Sequence, residues 1–172
     1  MSASFKLLLL TFVCGGLVLL LIVRNAPPAV SEPMPKPIAT TTTRSYFEPL
    51  VPWTLGDKVV YASLATTETE RSLGLSNTSA LPPDIVKVFV FSTDERWSFW
   101  MKDMAYPIDI IWVTASGTVT HIAANISPDT YPASFSPSAP ARYVIETIPG
   151  LFALAGISAG DSLDMSIFNQ SN

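Results

Sequence analysis

"RWSFWMKDMAYPIDIIWV", Arg96 to Val113, decides how the chain folds and poses the question of what it does. It holds three of the four tryptophans, together with Arg96, Lys102, Asp103 and Asp109. A core strand has little use for those charges, and a solvent loop has little use for the aromatics. If Trp97 to Lys102 is a strand, alternation puts Trp97, Phe99 and Met101 on one face and Arg96, Ser98, Trp100 and Lys102 on the other. The first set reads as core. The second sets Trp100 beside two cations on a polar face, either as a plain cation–π contact or as a platform for a ligand ring. In "PIDIIWV", Asp109 shares a face with Ile111 and Val113 and is expected to be partly buried. A buried carboxylate must be paired, hydrogen-bonded or protonated. Lys102 is the nearest basic residue, so a salt bridge closing "DMAYP" is the structural reading of Asp109. A regular hairpin pairing 102 with 108 sets the two on opposite faces, and a one-residue bulge reverses that.

The same period of two continues outward. "KVVYASL" puts Val60, Ala62 and Leu64 on one face, and "VKVFVF" (Val86 to Phe91) is apolar on both, as a central strand would be. "ASG" at Ala115 to Gly117 reads as a turn into "TVTHIAA"; "RYVIET" follows, and Leu163 to Phe168 alternates with Leu163, Met165 and Ile167 inward. Two segments break the period. "TTETERSLGL" offers Thr67 as N-cap, Glu70 completing a capping box and Gly74 as the stop. "TIPGLFALAGI" places Pro149 near a helix start and Gly156 near its end. The expectation is a mainly β (α+β) domain, a small barrel or compact sandwich with two short helices.

Before that domain, Leu7 to Val23 (LLLLTFVCGGLVLLLIV) carries no charge and is flanked by Lys6 and Arg24. As a helix it reaches about 26 Å, close to the hydrocarbon thickness of about 30 Å. The run exceeds a signal-peptide core, and no small-residue cleavage site follows promptly in "RNAPPAVS". It therefore reads as an uncleaved anchor over residues 7–23. The positive charge before it keeps residues 1–6 in the cytoplasm and sends the C-terminal body out of it. Residues 24–56, Pro-rich and Thr-rich, read as an extended linker, leaving 57–172 as the β domain. The membrane is thus an expected partner, and the body is expected to be monomeric.

Composition excludes several functions. Cys14 is the only cysteine and sits in the apolar run, so the exported part has no disulfide, thiolate metal site or thiol nucleophile. From Asp57 onward, six basic residues stand against twelve acidic ones, a poor match for nucleic acid. His121 is the single histidine, on a strand face with Val119 and Ala123, and reads as structural. No cofactor motif appears, and a transition-metal site is not expected, while an oxygen-rich calcium site stays open. No nucleophile elbow or phosphate-binding glycine loop is present. Asp109 and Glu146 are the one carboxylate pair to weigh for glycoside hydrolysis.

Together, "TETERSLGLSNTSALPPD", "FWMKDMAYPIDIIWVTASGTVTHI", "SPDTYPASFSPSAPARYVIE" and "GISAGD" resemble the domain of unknown function 192 family across roughly Lys58 to Phe168. "IVKVFVF" departs from the usual Gly-Met-Leu-Phe, and Asp103 and Met104 stand where Asn and Thr are common. The resemblance implies a small, mainly β, barrel-like domain, often exported or membrane-anchored in bacteria and archaea, and it brings no established activity. It maps motif positions onto Arg71, Gly74, Trp100, Lys102, Asp109, Glu146, Gly160 and Asp161. Arg71, Trp100, Lys102, Asp109 and Glu146 are the expected lining of one groove. Three functions follow. One is a tethered binding module for a saccharide, peptide or envelope partner with Trp100 as its platform; another is a hydrolase using Asp109 and Glu146; the third is a purely structural domain.

Overall fold

The computed structural model describes residues 46–169. Residues 7–23, read as the anchor, lie outside them, as does most of the linker. Among the described residues no helix is long and apolar enough to cross a membrane.

The doubly apolar runs form the middle of one six-stranded sheet. Its strands are β1 (Leu50–Leu55), β2 (Lys58–Ala65), β3 (Ile85–Glu95), β5 (Ile108–Val113), β6 (Val119–Ile126) and β8 (Ala141–Thr147). Their order is β1-β2-β3-β8-β5-β6. β4 (Phe99–Trp100) and β7 (Ser134–Phe135) make a separate two-stranded ribbon. β2 and β3 run parallel, joined through the short helix α1 (Glu68–Leu73); the other sheet pairs are antiparallel. The fold is therefore a mixed open sheet. The mainly β class with two short helices holds, but the sheet does not close as a barrel, because β1 pairs only with β2 and β6 only with β5, leaving two free edges.

Each face of the sheet carries its own core, which is why β5 is buried at all six positions. On one face Val86, Val88, Ile111, Val113 and Ile145 pack against helix α2 (Leu151–Leu154) and the C-terminal segment. On the other, Phe89, Ile110, Trp112 and Val144 pack under Leu75, Leu81, Phe99 and Met101. Burying both faces is the main stabilisation, at about 25 cal/mol per Å² of apolar area.

Both helix readings hold. α1 has Thr67 as N-cap with a reciprocal capping box and Gly74 at its C-terminus. α2 begins after Gly150 and ends before Gly156, both at positive φ. Three strand readings change. Leu50–Leu55, read as linker, is edge strand β1, whose Trp53 donates its indole N–H to the Asp164 carbonyl at 2.9 Å and meets the Phe168 ring edge-on at 5.3 Å. The segment Leu163 to Phe168 is not a strand. Asp164 Oδ1 accepts the Ser166 N–H at 2.9 Å, which turns the chain into a 3-10 turn, Ser166–Phe168. Phe168 thereby goes inward and Ile167 outward. A register shift between Trp112 and Val113 in the β5–β6 pair also breaks the expected face of His121: Val119 joins one core and Ala123 the other.

Candidate functional site

α1 is only six residues long, so its ends decide whether it exists. Thr67 Oγ1 accepts the Glu70 N–H at 3.2 Å, and the Glu70 carboxylate accepts the N–H groups of Thr67 and Thr66 at 2.9 and 2.8 Å. Those backbone bonds hold the Glu70 carboxyl at about 2, well below the usual range. At the other end Gly74 adopts φ 52° and ψ −122°, and a Cβ there would stand 3.2 Å from the Phe89 ring. The turn so fixed sends Arg71 over the sheet. Its Nη1 donates to the carbonyls of Thr66 and Val90, and the guanidinium lies 5.2 Å from the Phe91 ring centre.

Across from α1 the opening stretch of the sequence forms the other wall. The Trp97 ring stacks on Phe91 at 3.9 Å and 10°, and the Trp97 carbonyl accepts the Trp112 indole N–H at 2.8 Å. Phe99 meets Phe89 edge-on at 4.8 Å. Only Phe99–Trp100 of the expected strand pairs, and it pairs with β7 rather than folding back on β5. Trp97, Phe99 and Met101 do face the core, and Trp100 stays 53% exposed, edge-on to Tyr131 at 5.8 Å. Lys102 Nζ lies 5.9 Å from the Trp100 ring centre. Between the walls is an open groove of about 550 Å³, with Arg71, Phe89, Trp97, Trp100 and Glu146 among its lining.

Glu146 is the chemically unusual member. It is 4% exposed on β8, directly opposite Lys87 of β3. Burial pushes its carboxyl up to about 8, against the pull of the Lys87 charge. Burial likewise moves the Lys87 ammonium down. Lys87 Nζ is directed to Ser63 Oγ at 3.2 Å and the Leu64 carbonyl at 3.4 Å. Among the described residues, Glu146 Oε2 and Trp97 Nε1 are buried without a hydrogen-bond partner, and both residues line the groove.

Of the five residues expected to converge, Arg71, Trp100 and Glu146 line this groove, and Lys102 flanks it through the Trp100 ring. Asp109 does not. It pairs with Thr147 while Ile110 pairs with Glu146, so alternation sends the two carboxyls to opposite faces of the sheet. A shared cleft for an acid–base carboxylate pair is therefore not built here. Nor does Asp109 meet Lys102. Its Oδ1 accepts the Asn125 N–H and its Oδ2 the Gly150 N–H, each at 2.7 Å, so two main-chain donors replace the expected cation. Asp161 is likewise local: its Oδ2 accepts the Ser158 N–H at 2.8 Å, and Gly160 N–H reaches the Val119 carbonyl at 2.8 Å. His121 lies half-buried against Trp112 at 5.5 Å. Lys87 and the Trp97 N–H were missed by sequence reading. A lysine inside the apolar run "IVKVFVF" was the available signal for the first. Among the described residues no group of three or more His, Cys, Asp or Glu side chains is placed to hold a metal ion.

The architecture defines a class, a small open mixed sheet with a partly aromatic groove on one face. The DUF192 family model, described as an uncharacterised ACR, matches residues 51–165, and the chain belongs to that family. No curated protein matches it. A solved protein of unknown function from Novosphingobium aromaticivorans DSM 12444 is similar at 30% identity and TM-score 0.61, over 67% of this chain and 84% of that one. Another, described as a candidate transcription regulator from Sinorhizobium meliloti 1021, is similar at 26% identity and TM-score 0.59, over 67% of this chain and 90% of that one.

Proposed function

We propose that this chain is a membrane-anchored binding module whose monomeric body faces out of the cytoplasm and takes a small ligand in the groove between α1 and β4. The observation that carries the reading is Trp100. Large aromatic side chains stabilise a domain by being buried, and this one is held 53% exposed beside a concave, aromatic-lined space. Binding sites combine such apolar walls with a few polar groups, and Glu146 is the buried one in this lining. The anchor is supported by the charge-free run at residues 7–23, and the outward orientation by the positive charge that precedes it. Saccharides, short peptides and envelope proteins all present surfaces that an exposed indole can pack on. An excess of acidic residues in the body repels a phosphate backbone, which argues against nucleic acid as its ligand.

The test is a fluorescence titration of the full-length chain in detergent micelles with simple saccharides and short peptides, beside Trp100→Ala. A saturable change that the variant lacks supports the reading. A full panel with no Trp100-dependent change overturns it.

A further inference from the structure

We infer that the floor of the groove, Glu146 Oε2 with the Trp97 indole N–H, is a hydrogen-bonding subsite for a hydroxyl of a neutral saccharide whose ring packs on Trp100. This deepens the binding-module reading and rests on it. Burying a donor and an acceptor without partners costs about 1–3 kcal/mol for each group, so two such atoms on residues that line one groove point to partners supplied from it. They also restrict what completes it. An apolar ligand leaves both atoms orphaned. A hydroxyl suits either atom, because it can accept from the Trp97 N–H or donate to the Glu146 oxygen.

The floor is also the wrong place for a charged group. Burial keeps the Glu146 carboxyl largely protonated near neutrality, so it offers no ion to a ligand cation. The nearest charge across the ladder, the Lys87 ammonium, is directed to Ser63 and Leu64. Arg71 is engaged by the Thr66 and Val90 carbonyls and stacked on Phe91, so its charge is not aimed at the floor. The remaining polar lining is the Glu68 carboxylate, which can accept from a sugar hydroxyl, and the hydroxyls of Ser72, Ser76, Ser92 and Ser98. Hydroxyl groups that donate and accept, set against an aromatic face, complement a sugar better than a peptide termini pair or a fatty chain. A groove of about 550 Å³ has room for a monosaccharide or a disaccharide.

The test follows the indole N–H resonances of the ¹⁵N-labelled full-length chain in detergent micelles. Glucose, galactose, mannose, maltose and cellobiose are the saccharide probes; triglycine, acetate and benzamidine are the peptide, anionic and cationic ones. A saccharide is expected to shift Trp97 and Trp100 while Trp53, bonded to Asp164 beyond the sheet, stays still. Trp97→Phe, which keeps an aromatic face and loses the N–H, and Glu146→Leu are each expected to weaken that binding by about tenfold or more. Glu146→Gln, which keeps both hydrogen-bonding functions, should remain within about threefold of the parent. Saccharide binding that depends on Trp100 and ignores Trp97→Phe and Glu146→Leu overturns the floor subsite and leaves the binding module standing. A response to triglycine or a charged probe in place of the sugars overturns the ligand class alone. Silence from every probe overturns both.

Discussion

Lys87 and Glu146 occupy paired positions on β3 and β8, yet each finishes its hydrogen bonding elsewhere or not at all. Lys87 reaches for Ser63 and Leu64, and Glu146 leaves Oε2 unpartnered. A tight ion pair at this register would seal the sheet surface. The looser arrangement leaves a buried acid at the foot of the groove, which has a measurable consequence.

The first prediction concerns pH. The Glu146 carboxyl sits at about 8 in the folded chain against an ordinary 4.5, so between those values the folded state holds a proton the unfolded state has lost. Stability from this group is fully present below about 4.5 and declines as pH rises towards 8, by at most about 1.4 kcal/mol per unit. Lys87 acts in the opposite sense above its lowered value, where the unfolded chain binds the extra proton. Urea unfolding from pH 5 to 9 should show the decline, and Glu146→Gln should flatten it. Parallel curves for parent and variant would mean that Glu146 is ionised throughout.

Asp109 and Trp100 should separate stability from binding. Asp109→Ala strands two main-chain N–H groups, and each orphaned donor costs about 1–3 kcal/mol. Denaturant unfolding should register a loss of about 2–6 kcal/mol in total. Trp100→Ala, at an exposed position, should stay within about 0.5 kcal/mol of the parent. A neutral Asp109→Ala would deny the clamp its role.

Gly74→Ala tests the wall of the groove. The position has φ 52°, and the added methyl presses on Phe89 at 3.2 Å, so a cost of about 1–3 kcal/mol is expected. Because α1 ends there, ligand affinity should fall as well. A stable variant with unchanged affinity would show that the turn adapts without moving Arg71.

The body needs its first strand. A chain beginning at Asp57 lacks Trp53 and Leu55, both buried in the core shared with Phe168. It should lose several kcal/mol or its cooperative transition, since burying one large apolar side chain is worth about 1.5–3 kcal/mol. Equal melting temperatures for chains beginning at Tyr46 and at Asp57 would make β1 dispensable.

The topology prediction is independent of the groove. Protease added to intact cells should remove the body beyond Val23, and the mature chain should still begin at Met1 or Ser2. Soluble protein starting between Ala26 and Ser31 would show a cleaved leader and no anchor.

Features governed by near neighbours were legible in the sequence. The capping box of Thr67 and Glu70 spans one helical turn, and the split of Trp97, Phe99 and Met101 from Trp100 is strand alternation. What distant partners decide was not. Asp109 takes its donors from residues 16 and 41 positions away, through β6 and the start of α2, and no local pattern announces main-chain N–H groups. The clean alternation of Leu163 to Phe168 misled because Asp164 turns the chain locally. β1 was hidden by two prolines, Pro49 and Pro52, which an edge strand tolerates and a central one does not. The barrel failed because a period of two says which face is apolar and nothing about whether the last strand meets the first.

The order β1-β2-β3-β8-β5-β6 puts the last strand to be synthesised into the middle of the sheet. A chain complete only to Pro140 consists of two pieces, β1 to β3 and β5 to β6, each offering an apolar strand with an unfilled ladder. β8 zips them together through contacts remote in sequence, which makes folding late and slow. Until then both open ladders are templates for mispairing with another chain. The groove inherits this timing, since the strand that closes the gap is also the one that delivers Glu146. A chain ended before β8 is therefore expected to expose both open ladders and to aggregate rather than fold.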